Sequence, residues 1–131
     1  MRRLILLALV APLVTACGAG QKSSGSTTTG GGAPHWMAVE RLPKEALPGA
    51  RHFATAGCTT CHTYAGSGET RLNAPDLTSI GARHLGIAFQ IAHLKCPACV
   101  NPGSPMPSSR SLGAKRIHEL AIFLEASKGV R

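Results

Sequence analysis

Hydrophobic residues recur with helical spacing in three parts of the chain. Ile117, Leu120, Ala121 and Leu124 fall at i, i+3, i+4 and i+7, while Lys115, Arg116, Glu119 and Glu125 occupy the other side. This predicts an amphipathic helix with one buried stripe, and Gly113 is its expected N-cap. Upstream, Leu85, Ala88, Phe89 and Ala92 form one apolar stripe and Ile87, Ile91 and Leu94 the next. So wide an apolar face predicts a buried helix that walls a pocket. A shorter helix is expected after Pro48, with Gly49, Phe53 and Ala54 on one side and an end near Gly57. No stretch alternates with the period of a strand, so the expected fold class is all-α, with residues 48–131 as the folded domain.

The amino terminus follows a different pattern. Arg2 and Arg3 precede the apolar run Leu4 to Val14, and the small residues Thr15 and Ala16 lead to Cys17. Residues 1–16 therefore read as a signal peptide. The run is well short of the ~20 apolar residues that a spanning helix needs. Val14-Thr15-Ala16-Cys17 resembles the bacterial lipobox, in which the chain is cut before the cysteine and the cysteine is lipidated. Two or three acyl chains on Cys17, at ~0.8 kcal/mol per buried methylene, would anchor the protein stably. The expected location is the outer face of the cytoplasmic membrane, or the periplasmic side of a membrane. Gly18 to Pro34 is mostly Gly, Ser and Thr with Lys22 its only charge, so residues 17–47 read as a flexible tether reaching on the order of 30 Å. Trp36 and Met37 are expected to pack on the domain edge.

Charge narrows the range of partners. The chain has 14 Lys and Arg against 6 Asp and Glu, a formal net charge of +8, and loss of Arg2 and Arg3 with the leader leaves +6. Outside the cytoplasm this balance fits an acidic protein or anionic headgroups and argues against nucleic acid.

The run Cys58-Thr59-Thr60-Cys61-His62 carries the candidate chemistry. In an exported chain Cys-x-x-Cys-His reads as a covalent c-type haem site. Cysteines three apart on a helical turn share a face, so both thiols can reach one porphyrin, and His62 falls beneath the ring as an iron ligand. A domain of some 85 residues with few aromatics is near the lower limit for a core built from side chains alone. One covalent haem c is the expected cofactor and would complete that core, so the chain without it is expected to fold poorly.

Several separate motifs resemble the class I cytochrome c family over essentially all of residues 48–128. Gly49 and Phe53 match the Gly and aromatic where the family's first helix crosses its last, and Phe123 in Ala121-Ile122-Phe123-Leu124 matches the aromatic of that last helix. Cys58 to His62 matches the haem motif. Ala74-Pro75-Asp76-Leu77 resembles the family's Gly-Pro-x-Leu turn, whose Pro carbonyl accepts the proximal His ring proton and whose Leu packs on the haem; Ala74 in place of Gly departs from it. Asn101 to Pro107 resembles the family's distal loop ending in Met-Pro, 44 residues beyond His62 at Met106.

The resemblance implies a small fold of three to four helices wrapped around one haem, with His62 and Met106 as metal ligands and Cys58, Cys61, Pro75 and Leu77 completing the haem site. His84 and His93 are rival ligands, His93 the better placed. His35, His52 and His118 read as surface residues. Cys96-Pro97-Ala98-Cys99 has no counterpart in the family's distal loop. With the other cysteines assigned, an oxidising compartment favours a Cys96–Cys99 disulfide that stiffens the Met106 loop, and redox signalling through the pair stays open.

The implied function is one-electron transfer in a respiratory chain rather than enzymatic turnover, with an acidic redox protein or a membrane oxidase complex as partner. Arg51, Lys95, Arg110 and Lys115 are candidates to surround the exchange edge. Two other readings remain at this point. A haem-based ligand sensor or peroxidase would need an open iron position, against which Met106 argues. A four-cysteine zinc module from Cys58, Cys61, Cys96 and Cys99 would have too long an inner gap for a ribbon and would leave His62, Pro75, Leu77 and Met106 unexplained.

Overall fold

The structure is a computed structural model that describes Trp36 and residues 41–129. The expected signal peptide, Cys17, His35, Met37 and most of the expected tether lie outside the described residues. A 3-10 turn at Lys44–Ala46 leads into helix α1 (Leu47–Thr55), followed by α2 (Ile87–Lys95), the single turn α3 (Pro97–Val100) and α4 (Ala114–Ala126). Further 3-10 turns lie at Cys58–Thr60, Ile80–Arg83 and Arg110–Leu112. Among the described residues there is no strand, only one isolated bridge between Tyr64 and Ser67, so the fold is helical as expected. No described helix is long and apolar enough to cross a membrane.

Pro48 lies inside the first turn of α1 rather than before it. Its missing N–H costs nothing there, because that donor has no partner within the helix. Gly57, at φ +82°, follows the helix and turns the chain into the Cys58 turn. Gly49, Ala50 and Phe53 are the buried residues of α1, whereas Ala54 is exposed, contrary to its expected place on that face.

α1 and α4 cross at Gly49. A Cβ added there would overlap the Glu119 carbonyl and the Cβ of Phe123, so only glycine permits the approach. α4 buries Ile117, Leu120, Ala121 and Leu124 as their spacing predicts, together with Phe123. Gly113 is its N-cap residue and contributes no side-chain hydrogen bond.

Two charged positions of α4 do not face outward as expected. Glu119 is half-buried and pairs through Oε2 with His52 Nε2 at 2.8 Å, which also removes His52 from the plain surface. Glu125 Oε2 accepts from the Gly86 amide at 3.1 Å and from Gln90 Nε2 at 3.5 Å. These bonds tie α4 to α1 on one side and to the start of α2 on the other.

α2 begins after Gly86, leaving Leu85 outside it, and its apolar surface is divided. Leu94 and Gln90 are buried and Ile91 is half-buried, whereas Ala88, Phe89, Ala92 and Ile87 are exposed, with Phe89 at 37% and Ile87 at 39%. The expected burial of the whole face therefore holds for only part of it.

The core is aromatic. Trp36, Phe53, Tyr64 and Phe123 form a cluster with ring centroids 4.7–6.1 Å apart. Tyr64 donates its hydroxyl to Ser127 Oγ at 2.6 Å, and Ser127 donates onward to the Phe123 carbonyl at 2.8 Å. Trp36, 3% exposed, is a core residue rather than an edge residue, and Ala46 is fully buried. The core thus takes in residues on the amino-terminal side of 48, and it gathers four of the five aromatic side chains of the sequence.

Candidate functional site

Immediately after α1 the chain tightens into the 3-10 turn Cys58–Thr60. The amides of Cys61 and His62 both donate to the Cys58 carbonyl, at 3.2 and 3.0 Å, and Thr60 Oγ1 closes the turn on the Gly57 carbonyl at 2.7 Å. Cys58 and Cys61 are both half-buried and both free thiols. Burial pushes the Cys58 thiol above its ordinary value, and a backbone hydrogen bond only partly offsets this. Such a protonated thiol is a weak nucleophile and a weak metal ligand until its environment changes.

His62 is oriented by the turn that follows. Its Nδ1 lies 2.8 Å from the Pro75 carbonyl oxygen. A carbonyl can only accept, so Nδ1 carries the proton and Nε2 keeps the lone pair that a metal would take. The turn is held in register by the Leu77 amide on the Thr63 carbonyl at 2.9 Å, by Thr63 Oγ1 on Asp76 Oδ2 at 2.6 Å, and by the Thr78 amide on Asp76 Oδ1 at 2.7 Å. Burial pushes the Asp76 carboxyl up, but hydrogen bonds from the Thr63 hydroxyl and from the Thr78 hydroxyl and amide outweigh it and hold the group below the usual carboxylate range. Ala74, the departure from Gly, leaves the Pro75 contact intact. Leu72 and Asn73, just before it, take the left-handed backbone conformation, at φ +53° and +57°.

Met106 is half-buried, and like Cys58 and Leu77 it packs against the aromatic and aliphatic core. Its loop is pinned at both ends. Upstream, the Ser104 amide donates to the Asn101 carbonyl at 3.0 Å and the Met106 amide to Ser104 Oγ at 3.3 Å. Downstream, the Ser109 amide bonds the Leu94 carbonyl at 2.8 Å, and Ser108 Oγ and Arg110 Nε bond the Lys95 carbonyl at 2.7 and 3.0 Å. These contacts satisfy carbonyls at the C-terminal end of α2, which have no partner within the helix.

The two rival histidines differ in setting. His84 is exposed and sits at the end of the Ile80–Arg83 turn. His93 is half-buried and stacks on Phe89 at 6.1 Å between centroids. Burial first, and then coulombic repulsion from the nearby His62, push its pKa below the ordinary histidine value. His118 is exposed, as expected.

Cys96 and Cys99 form a close pair with their sulfurs placed as in a disulfide and Cα atoms 5.2 Å apart. Among the described residues no three His, Cys, Asp or Glu side chains converge in a way that could hold a metal ion, so the four cysteines are not gathered into one site. Trp36, expected at the domain edge, and Tyr64, not singled out by its sequence setting, both support the region from within the core. Both are isolated aromatics outside any periodic segment, and periodicity is what reveals a core position.

The donor types that a c-type haem would use are present, as two unpaired thiols, an imidazole held through Nδ1 and a thioether on a pinned loop. Comparison of the chain with protein-family models, with curated proteins and with solved structures finds no match.

Proposed function

We propose that the protein is an exported, membrane-tethered one-electron carrier with one covalent c-type haem, of the class I cytochrome c type. The observation that carries this reading is the bond between His62 Nδ1 and the Pro75 carbonyl at 2.8 Å, joined to two free thiols in the turn just before His62. That bond presets the tautomer and direction that a proximal ligand requires.

Bound haem would supply a one-electron couple between ferric and ferrous iron. Cys58 and Cys61 would hold it through thioethers, His62 would offer Nε2, and Leu77 would pack against it. The pinned loop would present the Met106 sulfur, a ligand that favours the reduced state. His62 and Met106, both supplied by the chain, would hold the iron in either oxidation state, so little would have to move when an electron arrives or leaves. Lys95 and Arg110 beside Met106 give that side of the surface a positive charge suited to an acidic redox partner or a membrane oxidase complex. Cys17 would carry the lipid that keeps the protein at the outer face of the membrane.

The zinc reading loses support because two of its four cysteines are spent on the disulfide. The sensor reading loses support because Met106 is packed and pinned rather than free in solvent.

Expression in a host with working cytochrome c maturation, followed by denaturing electrophoresis and haem staining, tests the proposal. The wild type is expected to give one haem band and Cys58→Ser/Cys61→Ser none. Met106→Ala is expected to keep the band, lower the potential and admit carbon monoxide. A wild type without a haem band overturns the proposal.

A further inference from the structure

Cys96 and Cys99 have no part in the electron-carrier reading, and Cys96 shares a cleft with Met106. Cys96 is half-buried and lines an open cleft of about 410 Å3 together with Met106, Lys95 and Arg110, whereas Cys99 is exposed. The disulfide joins residues only three apart. So small a ring removes little entropy from the unfolded chain, which makes overall stabilisation a weak reason for it.

We propose that the Cys96–Cys99 disulfide is a thiol-exchange site, opened at Cys99 by a dithiol reductant outside the cytoplasm, and that its opening slackens the Met106 loop. A thiolate of the reductant attacks Cys99 Sγ, the bond to Cys96 Sγ breaks, and the electron pair leaves on Cys96. Lys95 and Arg110 line the same cleft as Cys96, so two positive charges share the cleft with the departing thiolate. A stabilised leaving thiolate accelerates exchange. The reductant's second thiol then attacks its own sulfur in the mixed disulfide and frees Cys99. Two electrons and two protons pass from the dithiol to the protein, and the reductant is left as a disulfide.

The backbone connects this event to Met106. The Cys99 and Val100 amides donate to the Cys96 carbonyl, the Asn101 amide to Pro97, the Ser104 amide to Asn101, and the Met106 amide to Ser104 Oγ, at 2.8–3.3 Å. The first links form α3, which has only four residues. A single turn does not hold itself in water, so the covalent closure is what keeps it formed. The exchange chemistry stands without any bound group, and only its consequence for iron rests on the reading of Met106 as a ligand.

The test uses the mature full chain with dithiothreitol and reduced glutathione as probes. Dithiothreitol is expected to open the pair while the circular dichroism of the longer helices α1, α2 and α4 is retained, and alkylation then adds two labels, at Cys96 and Cys99. A pair that resists until denaturant is added overturns the exchange site. Glutathione is expected on Cys99 by fragment mapping, and its appearance on Cys96 overturns the direction of attack. Lys95→Gln/Arg110→Gln should slow opening several-fold, and an unchanged rate removes the role of the cleft charges.

Hydrogen exchange at the Asn101, Ser104 and Met106 amides is expected to rise roughly ten- to thirtyfold on reduction. Cys96→Ser/Cys99→Ser should reproduce that rise without reductant, and equal exchange in both states overturns the coupling. Haem staining of the same sample separates the two proposals: exchange without a haem band sinks the electron-carrier reading alone, and a haem band with an inert disulfide sinks this one alone.

Discussion

At the scale of single residues, the turn that orients His62 depends on one carboxylate. Asp76 accepts from Thr63, the neighbour of His62, and from Thr78, so it braces the Pro75 carbonyl from the far side of the turn. Its folded pKa is lowered from the ordinary 3.8. A group depressed on folding contributes stability above its unfolded value and loses it as the pH falls through the folded value. Asp76 is mostly exposed, so solvent screening keeps this contribution small. Asp76→Asn is expected to flatten the acid limb of stability below about pH 4, read as urea midpoints at pH 7 and pH 3. An acid limb as steep as that of the wild type would show that other carboxylates carry it.

The helices themselves show what pattern can and cannot reveal. Gly49 sits where α1 meets α4, and Gly49→Ala would force the Cβ into the Glu119 carbonyl and Phe123. Overpacking at such a crossing costs about 1–3 kcal/mol or more, and thermal unfolding is expected to show a clear fall in midpoint. The stripe of α4 was legible because four apolar residues keep helical period, and the Gly49 crossing was legible through the family resemblance. Glu119 and Glu125 were misread because charge implies solvent, while their partners lie 67 and 39 positions away in sequence, at His52 and Gly86. For the site, the Cys58 to His62 turn was legible from a local motif and the His62–Pro75 contact through the family resemblance. The exposure of Phe89 and Ile87 was not, since periodicity reports an apolar face without saying what covers it.

For the whole molecule, the feature with the widest reach is Trp36, which brings the chain on the amino-terminal side of the domain into the aromatic core against Phe53, Tyr64 and Phe123. It is also the sole tryptophan of the sequence. The ultraviolet emission of the protein is therefore an optical gauge of whether this segment is seated. A seated indole is expected to be shielded from iodide and, with a haem bound in the same domain, dimmed by energy transfer, and release of the segment should brighten the emission, shift it red and expose it to iodide even where α1 and α4 keep their ellipticity. A fragment cut at residue 48 would be dark at tryptophan wavelengths and would lose the ring that closes one side of the cluster, so soluble versions intended for spectroscopy should begin ahead of Trp36.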